Sequence, residues 1–373
     1  MIDKIRLLWY YPSFELEGKY PGGYRTLALA KALVRNGVSH VTIASILLKE
    51  SRRVSNNIDL FAIHQNPLIV WKSLYKLIRS RDINIVQERL GCGVFWNGWG
   101  VLAGNQAGLP VVGEYHEYPF GLKYKLVDYP RLRYVLKNCD RFFIINNIIS
   151  QYIPLRKKER SKIIIVPNGF DASVLPKTDT HQAELINTWV TEKRKVIGYF
   201  GALTKDKGVD IILNLVRYVD DQYLFLIAGR GPLEEDVKRL CRELPDKCKY
   251  LGLLSQEKVY HAMSLCDVTL GLYRKDLKPG QPQYGNPLKV YESLAVGTPV
   301  IISVSSLSML PAEIAELCVA SKLQIEKIAE ALDLACKRKA LLPIIDVLRK
   351  YSWDYIAKNI SIPIYEEIAR NTM

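Results

Sequence analysis

Short runs of β-type residues alternate with helix-type runs along nearly the whole chain, and the alternation starts twice. In the first series Ile5–Tyr10, Val41–Ile46, Ile83–Gln87, Pro110–Tyr115, Arg141–Ile145 and Lys162–Val166 read as strands. The second series runs through Val196–Phe200, Tyr223–Ala228, Lys249–Leu251, Val268–Leu272 and Pro299–Ile302. Between the first two strands, PGG reads as a loop that leads into the helix YRTLALAKALVRNG, ended by Gly37. A strand–helix–strand rhythm implies parallel sheets with helices on both faces. Two such series, divided by the polar stretch Pro176–Arg194, imply an α/β chain of two doubly wound, Rossmann-like domains. The length of 373 residues suits two or three domains.

Composition narrows the class further. With 49% hydrophobic and 24% charged residues, a disordered chain, a collagen and a disulfide miniprotein are all excluded. No apolar run approaches the roughly 18–20 residues that cross a bilayer. The start, MIDKIRLLWYYPSF, has only a short apolar stretch and an acid at Asp3, so no secretory signal is expected. The seven cysteines are odd in number and scattered, without a CxxC pair or zinc-type spacing. Reduced thiols and a cytoplasmic location are therefore expected.

Charge is unevenly shared. Residues 1–166 carry a net +13 of the total +14, and the remainder is nearly neutral. The densest basic stretch is Gly121–Lys162, and a second is VWKSLYKLIRSRD, where Lys72, Lys76 and Arg79 share one helical face. Val70, Leu74, Leu77 and Ile78 fall towards the other face, with Trp71 and Tyr75 among the bases. Such a helix suits an anionic membrane surface, where each basic residue contributes roughly 1 kcal/mol. It equally suits a solvated helix lying over a domain core. Nucleic acid ranks low, because no RNP signature, zinc finger or basic region with heptads is present.

Ligands of parallel sheets bind beyond the carboxyl ends of the strands, so loops that follow strands are the places to seek chemistry. In YPGGYRT, Gly22 and Gly23 let backbone amides approach a ligand at a helix start. In GYFGALTKDKGVD, Gly201 follows a strand, and Lys207 with Gly208 opens a helix where a lysine can face an anion. In IAGRGPLEED, Arg230 and Gly231 again join a strand to a helix, but Glu234 occupies the last glycine position of a dinucleotide fingerprint. In PQYGNPLKVYESLAVGTPVI, Asn286 is expected as an N-cap and Pro287 as the first helical residue. The free amides about Leu288 then suit a diphosphate, and Glu292 suits a ribose diol. In VVGEYHEYP, His116 directly follows a strand, flanked by Glu114 and Glu117, and can hydrogen-bond a substrate hydroxyl or the reacting centre. Each of these residues taken singly also has a plain structural reading as a turn glycine, a cap or a surface charge.

Taken in order, these loops resemble the family 4 glycosyltransferases of the GT-B fold. The resemblance covers most of the chain and is strongest from IIIVPNGFD to TPVI, with GALTKDKGVD, IAGRGP, YLGLLSQEKVYHAMSLCDVTLGL and LKVYESLAVGTPVI in family-like spacing. It implies two Rossmann-like domains facing across a cleft. Residues 1–170 would receive the acceptor and 171–353 would bind the donor, with a final helix at 354–373, from YSWDYIAKN onward, packing back on the first domain. It also implies retaining transfer from a nucleotide-diphosphate sugar to a glycan or lipid-linked hydroxyl, in cell-surface polysaccharide or glycolipid assembly. Gly22 and Gly23 match the family's glycine loop, His116 its donor-sugar histidine, Lys207 its diphosphate lysine and Glu292 its ribose glutamate.

Two positions depart from the pattern. Ala202 stands where the family usually has an arginine, with Lys205 or Arg230 as candidate substitutes, and Tyr284 stands where a glutamate is usual. An Asn-Pro-x-Lys run before the glutamate, as here, occurs in a subset of the family. The chain has no DxD sequence, so neither a cofactor nor a metal is expected. Lys207, the helix start at Asn286–Leu288 and the Gly22–Gly23 loop would stabilise the departing diphosphate instead. The basic first half fits a lipid-linked or anionic acceptor at the inner membrane face. The rival readings are a nucleotide-sugar epimerase or phosphorylase on the same scaffold, and a non-enzymatic anion- or nucleic-acid-binding protein.

Overall fold

The computed structural model describes residues 4–14, 21–90, 96–116, 129–153, 155–176, 194–274, 287–338 and 345–371. The chain divides into two compact units, Met1–Pro167 with Trp353–Met373, and Asn168–Ser352. Both crossings lie side by side in the second unit. Phe170 N–H donates to the Tyr351 carbonyl at 3.1 Å, and Phe170 bridges Ser352. The Phe170 side chain is buried with Tyr260, Tyr291 and Tyr351, which assigns the first residues after Pro167 to the second unit.

The strands of the first unit are β1 (Arg6–Tyr10), β2 (His40–Ser45), β3 (Arg52–Ser55), β4 (Ile58–Ala62), β5 (Ile85–Arg89), β6 (Val111–Tyr115), β7 (Arg141–Ile144) and β8 (Ile163–Ile165). They form one sheet in the order β3-β4-β2-β1-β5-β6-β7-β8. All pairs are parallel except the hairpin β3–β4 at the edge. That edge strand is polar and mostly exposed, which discourages pairing with another chain. The central strands β5 and β6 are buried along their whole length, as covered parallel strands are. The sequence reading missed β3 and β4.

The glycine pair does not form a separate loop. The helix begins at Pro21 and runs to Arg35, so Gly22 and Gly23 lie in its first turn. Proline is well placed there, since its missing N–H would have no partner at a helix start. The two glycine amides remain among the N–H groups that the helix itself cannot satisfy.

The helix Pro67–Ser80 spends its apolar face on the protein. Val70, Leu74, Leu77 and Ile78 are buried in the core with Leu8, Tyr10 and Val86, and Trp71 and Tyr75 pack against it. Lys72, Lys76 and Arg79 stay exposed. What this helix offers outward is charge. Among the described residues, no helix is long and apolar enough to cross a membrane.

The chain's end completes the first unit. Trp353, Ile356, Ala357, Tyr365 and Ile368 are buried. The Arg35 guanidinium grips Asp354 with bonds of 2.9 and 2.7 Å, and the Tyr365 hydroxyl donates to Gln87 Oε1 at 2.5 Å.

The second unit holds β9 (Lys195–Phe200), β10 (Tyr223–Ala228), β11 (Cys248–Tyr250), β12 (Val268–Gly271), β13 (Val300–Ser303) and β14 (Val319–Ser321). Their order is β11-β10-β9-β12-β13-β14, all parallel. Alternate residues of a strand serve opposite faces. Tyr223, Phe225 and Ile227 join the helices Val209–Tyr218 and Ile325–Arg338 in one cluster. Leu224 and Leu226 pack against Ala262 and Met263 in another. The chain winds outward from β9 in one direction and from β12 in the other, so the strand order reverses between these two neighbours. That reversal opens a crevice above their carboxyl ends, which is where ligands of such sheets bind. β14 is three residues long and was not expected from sequence. The described cysteines are free.

Candidate active site

Two groups of polar residues stand at carboxyl ends of strands, one in each unit, and each is described by itself. In the second unit, the turns after β9 and β10 are pressed backbone to backbone. Gly201 N–H donates to the Ala228 carbonyl at 3.0 Å, and Leu203 N–H to that of Arg230 at 2.8 Å. Gly229 has φ +135°, and a Cβ there would stand 1.8 Å from the Gly201 oxygen, so no other residue fits without moving the turn. Gly201 and Gly231 lie in the same pair of turns.

Lys205–Lys207 form a single 3-10 turn, and the α-helix starts at Val209, after Gly208 in the left-handed conformation. A Cβ on Gly208 would meet the Leu272 carbonyl at 2.2 Å, so the lysine turn is tied closely to the end of β12. Lys207 is thereby held over the Tyr273 ring, 4.6 Å from its centre, with Nζ 3.4 Å from Asp206 Oδ2. Lys205 and Arg230 are both exposed.

The next helix is Leu288–Ala295. Pro287 caps it rather than starting it, because its ψ of 124° is extended while its carbonyl already accepts the Val290 N–H. This moves the expected start by one residue, and Asn286 lies outside the described residues, as does Tyr284. The Leu288 amide is the first of the turn's open donors. Glu292 is buried, with 7% of its surface exposed, and accepts a 2.7 Å bond from Gln256 Nε2. Burial pushes its carboxyl up to about 7, against the pull of Gln256 and Lys289. One turn before it, Lys289 places its ammonium 4.1 Å from the centre of the Tyr199 ring and 5.5 Å from that of Tyr273. Crowding by protein and the nearby Lys207 pull the Lys289 ammonium down to about 7.

In the first unit, His116 stands just past β6, where Glu114 points into a buried basic nest. Arg25 Nη1 donates to Glu114 Oε1 at 2.7 Å, Gln87 Nε2 donates to Oε2 at 2.6 Å, and His116 Nε2 lies 2.7 Å from Oε1. The His116 contact has the distance of a hydrogen bond without its alignment. Burial would raise the Glu114 carboxyl, but His116 and Arg25 hold it well below the usual carboxylate range. Burial, with Arg25 and Arg89, holds His116 well below 6.5. The imidazole is therefore neutral near pH 7, suited to exchanging hydrogen bonds with a hydroxyl. Burial also lowers Arg25 to about 10, which leaves it charged.

Arg25 belongs to the helix that carries Gly22 and Gly23, so its bond to Glu114 ties that helix start to the end of β6. The structure thus associates Lys207 with Glu292 through Tyr273 and Lys289, and the glycine pair with His116 through Arg25. The sequence gives no role to Arg25, Gln87, Tyr199 or Tyr273, and marks Lys289 only as the lysine of the Asn-Pro-x-Lys run. Arg25 lies in YPGGYRT and Lys289 in PQYGNPLKVYESLAVGTPVI, but a lone basic residue there reads as solvated. Among the described residues, no group of His, Cys, Asp or Glu is placed to hold a metal ion.

The arrangement is that of a two-unit α/β protein whose second sheet ends in tight glycine turns beside Lys207, Lys289 and Glu292. Comparisons with known proteins agree. Residues 182–343 match the model "Glycosyl transferases group 1", and residues 22–174 match "Glycosyltransferase Family 4". A glycosyltransferase from Rickettsia africae is similar over 99% of this chain and 100% of its own, with 16% identity and a TM-score of 0.70. Anabaena HepE, solved with UDP, is similar over 98% and 99%, with 13% identity and a TM-score of 0.65. WaaG, described as a glycosyltransferase involved in lipopolysaccharide biosynthesis, is similar over 98% and 99%, with 13% identity and a TM-score of 0.61. No curated protein matches the chain. The chain belongs to the family 4 glycosyltransferases and has the GT-B fold. It is therefore an enzyme, which sets aside the non-enzymatic reading.

Proposed function

We propose that the protein moves a sugar, with retention of anomeric configuration and without a metal, from a nucleoside-diphosphate sugar to a hydroxyl of a glycan or lipid-linked acceptor. The observation that carries the donor half is the second-unit constellation of Lys207, the open amide at Leu288 and the buried Glu292, set around turns that only glycine allows. Cleaving a glycosyl–phosphate bond builds negative charge on the departing diphosphate. A fixed ammonium and free amides aimed at that charge stabilise the transition state, which is the work a bound divalent ion does in other enzymes. Glu292 would accept hydrogen bonds from the ribose diol, for which its carboxyl must be ionised. The acceptor hydroxyl would attack on the face the diphosphate leaves, with a phosphate oxygen taking its proton. Neutral His116 would hydrogen-bond the transferred sugar. Solved structures of HepE with UDP and glucose, and with UDP-glucose, give support by analogy of fold.

The acceptor half rests on charge. Residues 1–166 carry a net +13, and Lys72, Lys76 and Arg79 present an exposed basic row. We assign this face to an anionic glycan or to the headgroups of an inner membrane surface in polysaccharide or glycolipid assembly. Co-sedimentation with anionic vesicles that weakens as salt rises supports the membrane assignment. Absence of binding at low salt removes it.

The donor assignment is tested by melting temperature with uridine, guanosine and adenosine diphosphates in turn. One of them should raise it through ligand linkage. If none does at millimolar concentration, the donor assignment fails. Turnover of a nucleotide-sugar with no acceptor present would instead favour the epimerase.

A further inference from the structure

Lys289 is an anomaly for a helical lysine in the second unit. Its ammonium makes no ion pair among the described residues, and its contacts are the ring faces of Tyr199 and Tyr273. A Cβ on Gly201 would stand 3.0 Å from Nζ, so the ammonium hangs directly over the turn that follows β9. Ala202, next in that turn, brings no charge. Tyr199 is locked by donating its hydroxyl to the Ala202 carbonyl at 2.6 Å, so the ring beneath the ammonium is fixed. The side chain keeps partial exposure. A crowded cation with no carboxylate at ion-pair distance is costly, and such perturbed charges cluster where they meet a ligand.

We propose that Lys289 is a second diphosphate-binding cation, reaching over Gly201 from the helix Leu288–Ala295 to bracket the phosphates with Lys207. This rests on the donor reading above. The groups facing Lys289 are Tyr199 from β9, Asp206 and Lys207 from the lysine turn, Tyr273 after β12, and Glu292 from its own helix. Two lysines so close disfavour each other's charge until an anion arrives. A diphosphate removes that penalty, and its binding draws a proton onto Lys289 at pH values above about 7.

The test uses the whole protein and whichever of the three nucleoside diphosphates it binds. Lys289→Met keeps the aliphatic stem and removes the charge. It should leave the melting temperature of the ligand-free protein equal or higher, while weakening the diphosphate about 10- to 100-fold. The matching nucleoside, which lacks phosphate, should bind wild type and variant alike. Lys289→Arg should restore most of the affinity. Between pH 7 and 9, where the terminal phosphate is ionised, wild-type affinity should fall relative to that of Lys289→Arg, by at most tenfold per pH unit. Glu292 titrates in the same region with opposite sign, so the difference between the two proteins is the readout. A Met variant that binds the diphosphate as tightly as wild type overturns the assignment and leaves the donor reading standing. Equal loss of nucleoside and diphosphate would show damage to the fold and also overturn it. If wild type binds none of the three, the donor reading fails and this assignment falls with it.

Discussion

The two units place charge at the same topological position and use it in opposite ways. In the first, Glu114 is surrounded by Arg25, Gln87 and His116, so the buried charges compensate one another. In the second, the Lys289 ammonium lies against the Tyr199 and Tyr273 rings with no carboxylate at ion-pair distance among the described residues, and Glu292 accepts from the neutral Gln256. In the first cluster the buried carboxylate has its cation in Arg25, and a neutral imidazole stands beside the pair. The second leaves Lys289 crowded beside Lys207, a tension that the proposed diphosphate would relieve. A buried pair is thus evidence of scaffolding, and a crowded unpaired charge is evidence of a binding partner.

The contrast breaks most visibly at Arg25. Arg25→Met strands the Glu114 carboxylate in the core, and removing one partner of a buried pair typically costs about 3–5 kcal/mol. Urea denaturation should show a loss of that size, whereas Lys289→Met should show none. Next in size is Lys207→Ala, which should lower turnover about 10²–10³-fold with little change in melting temperature, as loss of one charge-stabilising donor does. Glu292→Gln should weaken the nucleotide about 10-fold or more, with a matching rise in KM.

A pH series sharpens the same contrast. His116 is held below 6.5 when folded, so the unfolded chain binds the extra proton first and stability falls as pH drops below about 6.5. His116→Gln should flatten that part of the melting curve. Lys289 has the opposite reach. Its ammonium is lowered from 10.5 to about 7, so stability of the ligand-free protein should rise between those pH values, and Lys289→Met should remove the rise. The smallest effects belong to Lys205→Ala and Arg230→Ala. Both side chains are exposed, and each change should alter turnover by no more than about twofold.

Much of the fold was legible because covered parallel strands write continuous apolar runs, as Tyr223–Ala228 does with every residue buried. The strands missed are those without that signature. β3 is polar because it is an exposed edge, and β14 is three residues long. Local chemistry also located the turns, but not their ends. Pro21 was read as loop and begins the helix, and Pro287 was read as helix and caps it. The turns of the candidate site were legible where backbone geometry demands glycine, as at Gly201, Gly208 and Gly231. It was hidden where side chains meet distant partners. Arg25 meets Glu114 across 89 residues of chain, and Lys289 on its helix meets Tyr199 on β9, so neither spacing leaves a periodic trace.

The central claim is that the second unit holds a nucleoside diphosphate through prearranged lysine charge. Calorimetric titration of uridine, guanosine and adenosine diphosphates into wild type and Lys207→Ala tests it directly. One diphosphate should bind wild type, and the variant should bind it at least about tenfold more weakly. Binding that is absent for all three, or that is unchanged when Lys207 is removed, would contradict it.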